Sequence, residues 1–241
     1  MKWKKETLPF ISIGSRGTTN LLTRKEIRFC LDEMAKMFPD AHCELVHENS
    51  FELLIAVLLS AQTTDVNVNR VTETMFKKYK TPEDYLAVPL EELENDIRTI
   101  GLFRSKAKNI QKLCRTLIDE YNGEVPQTRK ELMKLAGVGR KTANVVMSVA
   151  FDEPAIAVDT HVERVAKRLA FCRWKDSVLE VEETLMRKIP MEEWSVTHHR
   201  LIFFGRYHCK AAKPNCETCT LLTVCREGKK RMRAKEKALK K

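Results

Sequence analysis

The amino-acid sequence predicts an all-α protein. Gly and Pro number eight each in 241 residues, well below their usual shares of about 7% and 5%, so turn signals are sparse. Apolar residues recur at three- and four-residue steps along most of the chain, and no stretch alternates convincingly as a strand. The length is enough for a real hydrophobic core, as one domain or two small ones, which excludes a disulfide-stapled miniprotein. The longest uninterrupted apolar run is residues 53–59, far short of the ~20 residues a bilayer span needs. No compact apolar segment precedes a small-residue cleavage site near the N-terminus, so a soluble, cytoplasmic protein without a secretory signal is expected. In a reducing compartment clustered Cys hold a metal more readily than each other.

Taken in order, residues 1–21 show neither periodicity and read as a flexible leader. Ile27, Cys30, Leu31, Met34 and Phe38 make one helical stripe, stopped by Pro39. Ser50 can cap a helix over 51–62 whose all-round hydrophobicity predicts a central, buried position. Asp65 can cap the next, with Val68, Val71, Met75 and Phe76 facing inward. Pro82 and Pro89 open two short helices. Residues 105–121 form a longer one, ended by the left-handed stop signal Asn122-Gly123. Helices over 128–135, 139–150, 160–169, 178–188 and 192–208 complete roughly ten or eleven, without an internal repeat.

Charge is concentrated at the C-terminal end. Residues 226–241 hold nine Lys or Arg and two Glu, +7 of a formal net +10. Such a tail attracts phosphate backbones in a salt-dependent way, and the same composition suits a solvated solubility tail.

Three motifs carry chemistry. In Leu135-Ala136-Gly137-Val138-Gly139-Arg140-Lys141 a Gly-x-Gly turn joins two helices and places Lys141 in the first turn of the second. The glycines allow left-handed backbone and close approach, and the freed N–H groups suit a phosphate oxygen. A lysine there faces the positive end of the helix dipole, a poor place for stabilisation. That field favours a neutral, nucleophilic amine, whereas simple phosphate contact would keep the ammonium. Farther on, Ala155-Ile156-Ala157-Val158 delivers Asp159 to a helix start, as an N-cap or as a carboxylate that handles protons or steadies a cation. His161 reads as a helix-face residue. Cys209, Cys216, Cys219 and Cys225, spaced C-x6-C-x2-C-x5-C, form a metal site. Only one Cys-x-x-Cys pair is present, which suits a 4Fe-4S cubane better than structural zinc. Lys210 and Lys213 lie in the loop between the first two ligands. Cys30, Cys43, Cys114 and Cys172 read as core or incidental thiols.

Gly-Val-Gly-Arg-Lys at 137–141, Val-Asp-Thr-His at 158–161 and the four-Cys spacing, in this order, resemble the endonuclease III family of DNA base-excision glycosylases over residues 22–227. The resemblance implies two helical lobes flanking a DNA-binding cleft. One, over 43–153, is a six-helix barrel ending in a helix-hairpin-helix; the other joins 22–42 to 154–228 and carries a 4Fe-4S cluster, with 229–241 left as a basic tail. It implies Lys141 as Schiff-base nucleophile and Asp159 as acidic partner in a bifunctional glycosylase and AP lyase. The expected partner is double-stranded DNA containing damaged pyrimidines or abasic sites, met by a monomer with no membrane association. Gln62 resembles the side chain that fills the hole left by a flipped base, and Leu102 the wedge that opens the stack. Gly137, Val138 and Gly139 resemble the backbone-gripping turn, and Asp65 a cleft residue that is equally a plausible N-cap. Ala136 stands where the family commonly has Pro, and Lys134 where some relatives are acidic. The rival readings are an adenine-mismatch-type glycosylase, which lacks the lysine, and a noncatalytic helix-hairpin-helix protein with a structural metal.

Overall fold

The structure, a computed structural model, describes residues 21–239; the expected leader lies outside them except for residue 21. Twelve α-helices and no strand are present among the described residues: α1 (Arg24–Met37), α2 (Ser50–Ser60), α3 (Asp65–Lys78), α4 (Pro82–Ala87), α5 (Leu90–Asp96), α6 (Phe103–Tyr121), α7 (Arg129–Leu132), α8 (Arg140–Ala150), α9 (Thr160–Arg168), α10 (Val178–Lys188), α11 (Trp194–Phe203) and α12 (Arg226–Leu239). The all-α expectation holds.

Local chemistry explains the boundaries. The Thr23 hydroxyl and the Glu26 carboxylate close a capping box on α1. Two expected caps move by one residue. Asn49, not Ser50, caps α2, its side chain accepting from Glu52 N at 2.9 Å. Thr64, not Asp65, caps α3. Asp65 becomes the first helical residue and its carboxylate is left for a distant partner. As expected, α2 is buried from Phe51 to Leu59, and α6 ends on Asn122 (φ 53) and Gly123 (φ 81). The expected helix over 192–208 divides into a 3-10 turn (Met191–Glu193), α11 and a π-helical turn (Phe204–His208).

The largest difference is the basic segment. It forms α12, which buries Gly228 against Leu222 and Cys225. Glu227 pairs with Arg231 and Glu217 with Lys235, so part of its charge is spent on seating the helix beside the cysteine loop.

The buried side chains form two cores. One is drawn from Leu45 to Val146, with Ala157. The other joins Leu22 to Met34 with Ile156 to Cys225. The segment 155–158 passes between them, its successive residues Ile156, Ala157 and Val158 falling alternately in one core and the other. Side chains also bridge the two sets of helices: Arg140 makes a forked pair with Glu182 (2.8–3.0 Å), and Arg206 binds both Glu44 and Asp65.

Candidate active site and cysteine recess

The hairpin turn uses its two glycines differently. Gly137 has φ +80, and a Cβ there would lie 2.9 Å from Asn109 Nδ2, so both left-handed backbone and close approach are required. Gly139 does not use the left-handed freedom a glycine allows (φ −93), and a Cβ there would meet nothing within 4 Å among the described residues. The fold makes no demand on that bare surface. Val138 is buried as the plug between them. No side chain among the described residues caps α8, and its first turn contains no acidic residue, so this helix start is a ready anion site. Lys141 is exposed there.

Asp159 performs the capping role: its Oδ1 accepts from His161 N and Val162 N, both at 2.8 Å. Oδ2 has no hydrogen-bond partner among the described residues. The carboxylate is thus anchored by one oxygen with the other to spare.

Asn144, one turn after Lys141 and wholly buried, ties the two helix starts together. Its Nδ2 donates to Ile156 O at 3.0 Å, and its Oδ1 accepts from Arg129 Nε at 2.7 Å. His198, also buried, lies beside the Ala157 backbone of the same segment. Burial first, then the charges of His199 and Lys141, push His198 well below its ordinary range, so it is neutral.

Gln62 and Leu102 lie on adjoining loops, both exposed and both left-handed (φ 57 and 60). Leu102 is 60% exposed, so it is not tucked into core. Asp65 meets Arg206 at 2.6 Å. Arg206 and Asn144 carry no local signal in the sequence, because their partners lie elsewhere along the chain. His161 is half-buried beside Arg164 (3.2 Å), consistent with a helix-face residue.

All four C-terminal Cys line one recess, with Leu169, Phe204 and Gly228 among its walls. Helix α9, which Asp159 caps, also reaches this recess through Arg168. The buried Arg168 guanidinium donates to Lys210 O (2.8 Å) and Ala211 O (2.7 Å) and touches Cys209 Sγ at 3.5 Å. Gly228 N donates to Cys225 Sγ at 3.3 Å. Burial pushes the Cys219 thiol up to about 11, so a thiolate here needs cationic company. Cys30, Cys114 and Cys172 are buried in the cores.

A hairpin with an open helix start, a lysine in its first turn and an anchored carboxylate at the next helix define a base-excision class of DNA repair protein. Residues 55–191 match the family described as HhH-GPD superfamily base excision DNA repair protein. The chain belongs to the endonuclease III family. It is 72% identical to endonuclease III of Bacillus subtilis (strain 168) over 211 residues, 88% of this chain and 96% of the relative. Its fold matches the protein of a trapped endonuclease III–DNA covalent intermediate, an estranged-adenine complex, at 76% identity and a TM-score of 0.87, covering 88% of this chain and all of that one. A thermostable thymine-DNA glycosylase matches at 27% identity and a TM-score of 0.76, over 86% of this chain and 98% of that one. No helix among the described residues is long and apolar enough to cross a membrane.

Proposed function

We propose that Lys141 is the covalent nucleophile of this chain and Asp159 its acidic partner. The chain is a bifunctional DNA glycosylase and AP lyase that removes oxidised pyrimidines from duplex DNA. The observation that carries the assignment of roles is the pairing of two helix starts through Asn144, one bearing an exposed amine and the other a carboxylate with a spare oxygen.

The hairpin holds the DNA backbone: α8 offers uncapped N–H groups, and the bare side of Gly139 lets a phosphate come close. The damaged nucleotide leaves the stack, which costs a few kcal/mol and least where stacking is already weakened. Gln62 occupies the space vacated and Leu102 parts the neighbouring bases. Lys141 Nζ, as the neutral amine, then forms a bond to C1′ while the glycosidic bond breaks, and the base leaves with that electron pair and is protonated. Ring opening gives an imine, which acidifies the C2′ proton. Loss of that proton expels the 3′ phosphate by β-elimination, and water releases the amine. Asp159, through Oδ2, steadies the cationic sugar and moves protons. Asp65, held by Arg206, lines the same cleft between the lobe over 43–153 and that built from 22–42 and 154–228.

Cys209, Cys216, Cys219 and Cys225 hold a 4Fe-4S cluster. Four thiols around one shared recess are the donor set that such a cluster would take. Such a cluster, when bound, supplies four thiolate–iron bonds that cross-link the loop. A brown protein absorbing near ~400 nm supports it; a colourless one with stoichiometric zinc overturns it.

Borohydride trapping on an abasic-site duplex tests the nucleophile. A covalent adduct that disappears in Lys141→Gln is expected, and undiminished trapping in that variant rejects the assignment. The adenine-mismatch alternative predicts no adduct with either protein.

A further inference from the structure

Lys106 is a buried lysine that the chemistry above does not use. It is 5% exposed and has no ion-pair partner among the described residues, an arrangement that burial alone makes costly. Burial pulls its ammonium down to about 8, while its contacts favour the charged form. Nζ donates to Leu59 O at 2.8 Å and Ala61 O at 2.5 Å, carbonyls at the C-terminal end of α2, where the helix dipole welcomes a cation. An apolar side chain could fill this volume, but it would leave those carbonyls without a donor.

What the ammonium holds is unusual. Ala61 leads directly into Gln62, and the backbone N–H of Lys106 donates to Leu102 O at 3.1 Å. One residue therefore closes the turn that leads into Gln62, through its side chain, and the first turn of α6, which follows Leu102, through its main chain. The loops are fastened to each other as well. Gly101 N donates to Thr63 Oγ1 at 3.2 Å and Asn67 Nδ2 to Thr99 O at 3.0 Å. A Cβ on Gly101 would lie 3.1 Å from Gln62 O, so the two backbones touch. Left-handed conformation strains residues with a Cβ and persists only where the surroundings over-determine it. Here two such residues stand side by side on one braced platform.

We infer that Lys106 is a positioning residue that locks Gln62 and Leu102 into a single pre-formed pair, so that both enter the duplex in register as the damaged nucleotide turns out. This rests on the reading of Gln62 and Leu102 as duplex-entering side chains. A rigid pair loses little freedom on insertion, whereas loose loops must be ordered at that moment. The benefit falls on extraction of a stacked base. An abasic sugar has no base to extract, so its processing depends less on the platform.

Lys106→Met keeps the stem and removes the donor. Single-turnover excision of thymine glycol from a duplex should fall about ten-fold or more, with β-elimination at a preformed abasic site within about two-fold of the parent. Thr63→Val, which cuts the brace between the loops without touching the buried amine, should show the same split to a lesser degree, and it decides the matter if Lys106→Met does not fold. Proportionate loss of both activities in these variants would reduce Lys106 to a stability element and overturn the inference, as would unchanged excision. Gln62→Ala and Leu102→Ala run alongside. If they slow excision while Lys106→Met and Thr63→Val do not, the platform fails; if they too have no effect, the reading of the two probing residues fails.

Discussion

Replacing Asn144 by Leu keeps the branched outline of a wholly buried side chain, at somewhat greater bulk, and removes both of its hydrogen bonds. The Ile156 carbonyl, itself fully buried, loses its donor, a penalty of about 1–3 kcal/mol. Arg129 loses an acceptor at 2.7 Å, but it is only half-buried and can turn to water, so about 1 kcal/mol is added. A loss of about 2–4 kcal/mol lowers Tm by roughly 5–15 °C in a chain of this size. Activity should fall further than stability. The lost bond joins the helix bearing Lys141 to the segment bearing Asp159, and a displacement of about 1 Å between reacting groups can cost ~100-fold. Asn144→Asp separates the two bonds, since it still accepts from Arg129 but cannot donate to Ile156. Thermal melts and single-turnover excision are the assays. A Tm within about 2 °C of the parent together with excision within about two-fold would refute the reasoning.

Arg140→Met should be more destabilising than Glu182→Gln: the Glu182 side chain is 3% exposed against 40% for Arg140, so losing the arginine strands a buried carboxylate at about 3 kcal/mol, and losing the charge of Glu182 costs about 1. Equal shifts in denaturation midpoint would contradict this. Acid should weaken the fold through His199, which burial lowers to about 4. The unfolded imidazole takes its proton first, so this stability is complete above about pH 6.5 and is lost, by up to about 3 kcal/mol, as pH falls toward 4. Melts between pH 7.5 and 4.5 should therefore fall less steeply in His199→Gln, and parallel profiles would sink the assignment. On α12, Lys230, Arg233 and Lys237 make no ion pair among the described residues, whereas Arg231 and Lys235 are engaged with Glu227 and Glu217. Changing the first three to Gln should flatten the salt dependence of duplex binding by up to about 3 in log–log slope. An unchanged slope would remove this helix from the DNA footprint.

The helices were legible because their signals are local: apolar stripes along α1 and α3, the all-round apolar α2, the Asn122-Gly123 stop. The caps at Asn49 and Thr64 were missed by one residue because several neighbouring side chains can serve and only the backbone entry angle chooses between them. Ordering of the basic segment was hidden because composition does not show that Gly228 fits against Cys225 or that Glu217 waits for Lys235. Gly137 is needed for its left-handed backbone, but the bare face of Gly139 could be recognised only once space was seen beside it. Asn144, Lys106 and Arg206 were invisible for a different reason. Each makes its decisive contact with residues between 12 and 162 positions away, and an amide, a lysine and an arginine on helices announce nothing until the fold brings those partners in.

The central claim is that the amine at the start of α8 bonds to deoxyribose. Peptide mapping by mass spectrometry of the parent protein, after borohydride reduction on an abasic-site duplex and nuclease digestion, tests it most directly. A sugar-derived mass on the peptide containing Lys141, and on no other lysine, is the predicted result. The same mass on a different residue, with Lys141 recovered unmodified, would contradict it.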